Sequence, residues 1–339
     1  MREWLRAVAA AHIAGADTRT EGSLTIQRVT GGNNNALYRI EADGQVIACK
    51  LCVADQRRRA ACEYAALRLF QPAGLDVAPE PLGLDESCEV VPYPAVVYRW
   101  LPGEPLGPAL TDAQLEALLA SIQLMHTLEP GDCTEMADSW FHWFDFSLYL
   151  AELNDFHTQY SRWLATSDPD GNGLTNRLAR LLNACKQFIA TTHVNPGRDR
   201  IALRICRADT NLANAIWNGE HQVRWVDWEY SGWGDPALEL AELRWHAAMT
   251  GLSDHQHAWL RARYQRPRDD DYFDERLAVW DRIITTRWCF LILRALWSAH
   301  NGPDRARLSR LPADPAQLRA RFIQFIERAE RLSACSSQL

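Results

Sequence analysis

Two segments set around a tight turn constrain this chain more than any other feature. Ile205-Cys-Arg-Ala-Asp-Thr-Asn-Leu-Ala-Asn-Ala-Ile-Trp217 comes first, and Val226-Asp-Trp-Glu-Tyr-Ser-Gly-Trp-Gly-Asp-Pro236 follows. Between them Asn218-Gly219 is a hairpin signal, flanked by Ala215-Ile-Trp217 and Val223-Arg-Trp-Val226. The chain must therefore make a loop, a short hairpin and a second loop that returns beside the first. That path brings Asp209, Asn214 and Asp227 toward one point. Two carboxylates and an amide carbonyl are hard oxygen donors suited to Mg²⁺, or to one base with two metal ligands.

An Asp, four residues, an Asn, then a hairpin and another Asp is the catalytic-loop and metal-loop layout of a kinase. The chain resembles the aminoglycoside phosphotransferase and choline kinase superfamily, small-molecule kinases related to protein kinases. Those proteins typically carry His-Gly-Asp, four residues and Asn, then an Asp-Trp-Glu-like segment and Gly-Asp-Pro. Here Arg207-Ala208-Asp209 with Asn214, Asp227-Trp228-Glu229 and Gly234-Asp235-Pro236 stand at those places, with Arg207-Ala208 departing from His-Gly. The resemblance implies that Asp209 is the catalytic carboxylate and that Asn214 and Asp227 hold Mg²⁺. Asp235-Pro236 also reads as an ordinary helix start, Asp as cap and Pro at the first helical position.

Upstream, residues 2–14 read as a short amphipathic helix. Strand-like runs follow at Leu24-Thr-Ile-Gln-Arg-Val29, Ala36-Leu-Tyr-Arg-Ile40 and Gln45-Val-Ile-Ala-Cys-Lys-Leu51, and Ala95 to Trp100 reads as another. Pro79-Glu-Pro-Leu-Gly83 interrupts the pattern. The turn Gly31-Gly32-Asn33-Asn34-Asn35 can present successive amides to phosphate oxygens, although a plain hairpin loop explains it as well. Lys50 ends an otherwise apolar strand, where a charge needs a partner or a ligand. Residues 55–70 read as the next helix, and Glu63 lies within it. The resemblance extends here: it implies Lys50 on the nucleotide phosphates, Glu63 orienting Lys50, Gly31 to Asn35 as the nucleotide loop, and Tyr98, Arg99, Trp100 and Leu101 beside the adenine. Leu101-Pro-Gly-Glu-Pro105 reads as a linker, placing a nucleotide lobe at 1–103 and a catalytic and acceptor lobe at 104–339.

Helical patterns fill the second part, near 111–126, 140–164, 174–191, 237–249, 254–263, 273–299 and 315–333. The order suggests a five-stranded lobe followed by a mostly helical one, matching the fold that the resemblance implies: an α+β, protein-kinase-like two-lobe fold with a small antiparallel sheet and a larger, mostly helical lobe. Asp168-x-Asp170-x-Asn172-Gly173 imitates the start of a calcium loop but lacks its closing Glu. Arg268-Asp-Asp-Asp-Tyr-Phe-Asp-Glu275 gathers five carboxylates before a helix carrying Trp280, Trp288 and Trp297. It reads either as a solvent-facing acidic turn ahead of core tryptophans or as a docking place for a cation.

Composition decides less. A formal charge of −7 argues against a nucleic-acid partner. Nine scattered cysteines make no disulfide scaffold, and Cys49 and Cys52 would face opposite sides of their strand as buried thiols. Without a long apolar run or a leader-like start, the expectation is a cytoplasmic monomer or homodimer with no membrane partner. The function expected is ATP- and Mg²⁺-dependent phosphorylation of a hydroxyl on a small-molecule acceptor, with cationic or amino-bearing acceptors suited to the mild acidity. The alternative, motivated by Arg207-Ala208, is a nucleotide-binding pseudokinase with a regulatory or scaffolding role.

Overall fold

The computed structural model describes residues 1–30, 35–132, 136–141, 144–192, 194, 197, 200–302 and 314–335. Two compact units emerge, one built mainly on Met1–Phe141 with Arg204–Trp233, the other on His142–Leu203, Gly234–Asp304 and Pro312–Leu339. The first unit contains the expected nucleotide lobe together with the hairpin, the loop before it and the loop after it as far as Trp233.

In the first unit, helix α1 (Arg2–Ala14) ends on Gly15, whose φ of 64° is the left-handed conformation that closes a helix. The strands are β1 (Thr18–Glu21), β2 (Leu24–Val29), β3 (Ala36–Ala42), β4 (Gln45–Leu51), β5 (Pro81–Asp85) and β6 (Ala95–Arg99). They form one antiparallel sheet in the order β1-β2-β3-β4-β6-β5. The sheet has six strands where the sequence suggested five. β1 was not anticipated, and β5 uses the Pro-rich stretch that seemed a break. β5 lies at the sheet edge, its proline takes the first strand position, and the register shifts between Pro81 and Gly83, so no central ladder bond is lost.

Period two then places the chemistry. Ile47, Cys49 and Leu51 of β4 pack into the core shared with Leu5 and Val8 of α1. Ala48 and Lys50 take the opposite face, with Tyr98 and Val96 of β6 as their cross-strand partners. Helix α2 (Arg59–Phe70) begins four residues later than the sequence suggested. Asp55 accepts the Arg57 amide at 3.0 Å in a local turn, and Arg58 takes a φ of 47°, so regular helix cannot begin before Arg59.

After the short β7 (Glu104–Pro105), helix α3 (Asp112–Met125) starts on a capping box made by Thr111 and Gln114. Strand β8 (Arg204–Cys206) leads into the first loop, and β9 (Ala215–Trp217) with β10 (Val223–Trp225) make the expected hairpin. β7 extends that hairpin to three strands.

The second unit is helical: α4 (Phe146–Ser167), α5 (Gly171–Thr191), α6 (Pro236–Trp245), α7 (Asp254–Arg263), α8 (Phe273–Asn301) and α9 (Pro315–Cys335). Asp145 caps α4, accepting the Ser147 amide at 2.8 Å. Tyr160, Leu164, Leu178, Phe290, Leu293, Phe322 and Phe325 supply much of its core. An antiparallel sheet followed by a helical part is the α+β, protein-kinase-like fold. Among the described residues no helix is long and apolar enough to cross a membrane, and Cys49 and Cys52 are buried free thiols.

Candidate active site

Lys50 is the hub. It is 5% exposed, and its Nζ lies 2.6 Å from Glu63 Oε2, 2.5 Å from Asp227 Oδ1 and 3.4 Å from Glu229 Oε2. The strand face delivers the lysine, α2 delivers Glu63, and the loop after β10 delivers the other two carboxylates. Burial alone would lower the lysine pKa, but the charges of Asp227, Glu63 and Glu229 together outweigh it and hold Lys50 well above its ordinary value. Glu229 has a second cation: Arg59 donates to it and also to Tyr230 Oη at 3.0 Å and Asp55 at 3.1 Å.

The two loops are held together through their backbones. The Val226 amide donates to the Asn214 carbonyl at 2.9 Å, setting Asn214 next to the strand end that carries Asp227. Asn214 closes a short 3₁₀ turn whose first amide pairs are fixed by the Asn211 side chain. Asp209 accepts the Asn211 amide at 3.2 Å. Ala208 and Asp227 both adopt positive φ, 57° and 64°. The position that is glycine in the family pattern is left-handed in this chain and occupied by an alanine. Arg207 is 0% exposed, and its Nη2 reaches the carbonyl oxygens of Val226 (2.9 Å), Asp209 (3.2 Å) and Asp227 (3.2 Å).

Carboxylate crowding sets the electrostatics. Burial pushes Glu63 up to about 7, with Lys50 opposing and Asp227 adding to the shift. Burial also raises Asp227, Lys50 opposes, and the charges of Glu229 and Asp209 raise it further. Oδ2 of Asp227 takes no hydrogen bond among the described residues, and its side chain is 30% exposed. An accessible carboxylate among like charges, beside an asparagine, suits a hard divalent cation. Among the described residues no three His, Cys, Asp or Glu side chains cluster as a metal cage.

Of the residues singled out from sequence, Lys50, Glu63 and Asp227 meet directly. Asn35 joins them through a hydrogen bond to Glu229, and its Oδ1 accepts the Val53 amide at 3.2 Å. Gly31, Gly32, Asn33 and Asn34 lie outside the described residues. Tyr98 shares the Lys50 face of the sheet, and burial holds its hydroxyl well above the usual pKa. Arg99, Trp100 and Leu101 line a groove of about 470 Å³ to which Lys50, Glu63 and Asp227 do not contribute. The Arg99 and Trp100 amides are already given to the carbonyls of Glu80 (2.9 Å) and Val46 (3.0 Å).

Three residues of the site had no role assigned from sequence: Glu229, Arg59 and Arg207. Glu229 stands two positions from Asp227 in a segment already picked out, and Arg59 precedes Glu63 by one helical turn. Those spacings set each residue near the cluster without pairing the two with each other. For Arg207 the only sign was an arginine where the family pattern has histidine.

No curated protein matches the chain in sequence. Solved structures share its fold at low identity. Spectinomycin phosphotransferase APH(9)-Ia, in complex with ADP and spectinomycin, is 11% identical with a TM-score of 0.63 over 93% of this chain and 94% of that one. A choline/ethanolamine kinase family protein from Mesorhizobium loti is 20% identical, with a TM-score of 0.60 over 98% and 95%. A thermostable mutant of aminoglycoside phosphotransferase APH(4)-Ia, with ADP and hygromycin B, is 14% identical, with a TM-score of 0.58 over 95% and 98%. The model of the phosphotransferase enzyme family (APH) matches residues 25–289, from the second strand of the sheet to the middle of α8. That span takes in the Lys50 cluster, both loops and the hairpin between them, and the chain belongs to the phosphotransferase enzyme family.

Proposed function

We propose that the chain transfers the γ-phosphoryl group of ATP to a hydroxyl of a small molecule, with Mg²⁺ bound by Asn214 and Asp227. The observation that carries this reading is the strand lysine held between Glu63 of α2 and Asp227, the latter on a loop joined to the one that bears Asp209. Lys50 is a rigid, permanently charged donor for nucleotide phosphates, and Glu63 sets its direction. The Leu101 amide, which forms no hydrogen bond among the described residues, is the donor available for the adenine edge. Asn35 and the preceding turn would cover the phosphates.

Asp209 accepts the proton of the acceptor hydroxyl as the hydroxyl oxygen bonds to the γ-phosphorus and the bond from that phosphorus to the β–γ bridging oxygen breaks, releasing ADP. Bound Mg²⁺ would offset negative charge on the phosphates. In this reading 1–103 is the nucleotide lobe, 104–339 the catalytic and acceptor lobe, and the protein works in the cytoplasm. Neighbours named as aminoglycoside phosphotransferases and choline/ethanolamine kinases make amino-bearing alcohols the first acceptors to try.

The test is ATP consumption against a panel of hydroxylated metabolites and antibiotics, with Asp209→Asn beside the wild type. Asp209→Asn should lower kcat by about 10²- to 10⁴-fold while MgATP affinity stays within about threefold. No turnover with any acceptor, together with retained MgATP binding, would favour a nucleotide-binding regulator instead. Loss of MgATP binding in Asp209→Asn would remove Asp209 from the role of base.

A further inference from the structure

Arg207 is buried entirely, and two aromatic rings flank its charge. Its guanidinium carbon lies 4.3 Å from the ring centre of Trp225 and 4.5 Å from that of Trp228. A planar cation between two aromatic faces is held by the ring quadrupoles, and an ammonium group could not fill that slot in the same manner. The walls are themselves fixed. Trp225 Nε1 donates to Ser121 Oγ of α3 at 2.8 Å, Trp228 Nε1 donates to the Trp225 carbonyl at 2.8 Å, and Trp228 packs on Phe70 of α2 at 4.6 Å between ring centres.

What the guanidinium grips matters as much as what grips it. Nη2 reaches the backbone oxygens of Asp209, Val226 and Asp227. These belong to both loops, and two of them belong to the residues read as the base and the metal ligand. Each loop turns at a left-handed, non-glycine residue, Ala208 in one and Asp227 in the other. Such turns persist only where the surroundings over-determine them. A single cation bonded to both backbones supplies that constraint.

We propose that Arg207 is a positioning residue: a buried, stacked guanidinium that locks the Asp209 loop and the Asp227 loop into one rigid piece and so sets the spacing between their two carboxylates. The role rests on the functional reading above for its catalytic consequence, but not for its structural one. It also assigns a purpose to the arginine that replaces the family's histidine. Arginine carries its charge at every accessible pH, so the lock does not loosen as an imidazole would on titration.

The experiment compares wild type with Arg207→Lys, which keeps the charge and removes the planar stack. Hydrogen exchange is followed by mass spectrometry in the metal- and nucleotide-free protein, and steady-state kinetics with MgATP. The lock requires that amides in 208–214 and 226–230 lose at least about tenfold in protection together, while those of β3 and β4 stay within about twofold. It also requires kcat to fall about 10- to 100-fold, because small misplacements of reacting groups are that costly, with the nucleotide KM within about threefold. Unchanged exchange in both loops, or an equal loss across the whole first unit, overturns the proposal and leaves Arg207 an ordinary core residue. If Arg207→Lys does not fold, Trp228→Phe decides by the same exchange readout: joint loosening of the two loops supports the lock, and no joint loosening overturns it. If wild type turns over no acceptor, the phosphotransfer reading fails, while the exchange measurement still decides the lock.

Discussion

Each unit of the molecule buries a cluster of acids around a base, and the two clusters are built to opposite rules. In the helical unit, Arg276 is gripped on two sides. Asp235 takes its Nε at 2.9 Å and Nη2 at 3.0 Å, and Asp270 takes Nη1 and Nη2 at 2.6 Å each. Asp235 also accepts the Trp280 indole at 2.8 Å and caps α6 through the Ala237 amide at 2.9 Å. Burial works against the guanidinium charge, but these bonds hold its pKa above the ordinary value. None of the three side chains leaves a buried polar atom without a partner. In the sheet unit, three carboxylates crowd Lys50, two of them with raised pKa, and Glu63 Oε1 is buried without a hydrogen bond. Saturation marks a structural cluster, and standing electrostatic frustration marks one shaped for a ligand.

Breaking the closed cluster should cost stability first. Arg276→Ala leaves two buried carboxylates facing each other and should destabilise folding by about 3–5 kcal/mol, read by urea or thermal unfolding. A loss below about 1 kcal/mol would mean that Asp235 and Asp270 find other partners, and the contrast would collapse.

Breaking the open cluster should cost activity instead. Asp227→Ala removes the most exposed of the crowded carboxylates, so stability should stay within about 1 kcal/mol of wild type. Turnover should fall about 10²- to 10³-fold, because stabilisation of transition-state charge is lost. Turnover within about tenfold of wild type would take Asp227 out of the metal site.

The open cluster was largely readable before the structure, and the closed one was not. Lys50, Glu63 and Asp227 announce themselves locally, through a charge in an apolar strand, a helix that follows it, and a hairpin flanked by polar loops. Asp235–Arg276 and Arg59–Glu229 join residues 41 and 170 positions apart. Spacing along the chain carries no trace of such pairings, because tertiary packing alone decides which arginine turns inward. The same blindness touched Arg57, Arg58 and Arg59, adjacent in sequence, of which only Arg59 is buried. Strand β5 went unread for a different reason, because proline signals an interruption but is tolerated at an edge.

A pH series sharpens the difference further. The folded-state pKa of Glu63 is raised to about 7 from an unfolded value of about 4.5. Between those values the folded protein holds a proton that the unfolded chain has released, so this group makes stability fall as pH rises from about 4.5 to 7 and level off above. Glu63→Gln, which carries no titrating proton, should flatten that slope in metal- and nucleotide-free protein. Urea midpoints of both proteins at pH 5 and pH 8 measure it. An identical slope in the variant would show that Glu63 is ionised throughout.

The smallest effect is expected beside the closed cluster, in the acidic stretch that precedes α8. Its five carboxylates looked from sequence like a docking place for a cation or a solvent-facing turn, and the structure divides them. Asp270 is 3% exposed and belongs to Arg276, and Asp274 lies 3.3 Å from Arg266 at the surface. Asp269, Asp271 and Glu275 are exposed. The tryptophans of α8 have inward roles: Trp280 is fully buried on Asp235, Trp288 meets His246 edge-on at 4.4 Å, and Trp297 lies 5.8 Å from Tyr160. With those tryptophans turned inward, the three exposed carboxylates offer a cation only screened, long-range attraction. The double substitution Asp269→Ala with Asp271→Ala should therefore move stability by less than about 0.5 kcal/mol and leave acceptor KM within about twofold. A KM for cationic acceptors that rises more than about fivefold, with a salt dependence absent for neutral ones, would make this rim part of acceptor recognition, so that the closed cluster would serve as the footing of a binding surface.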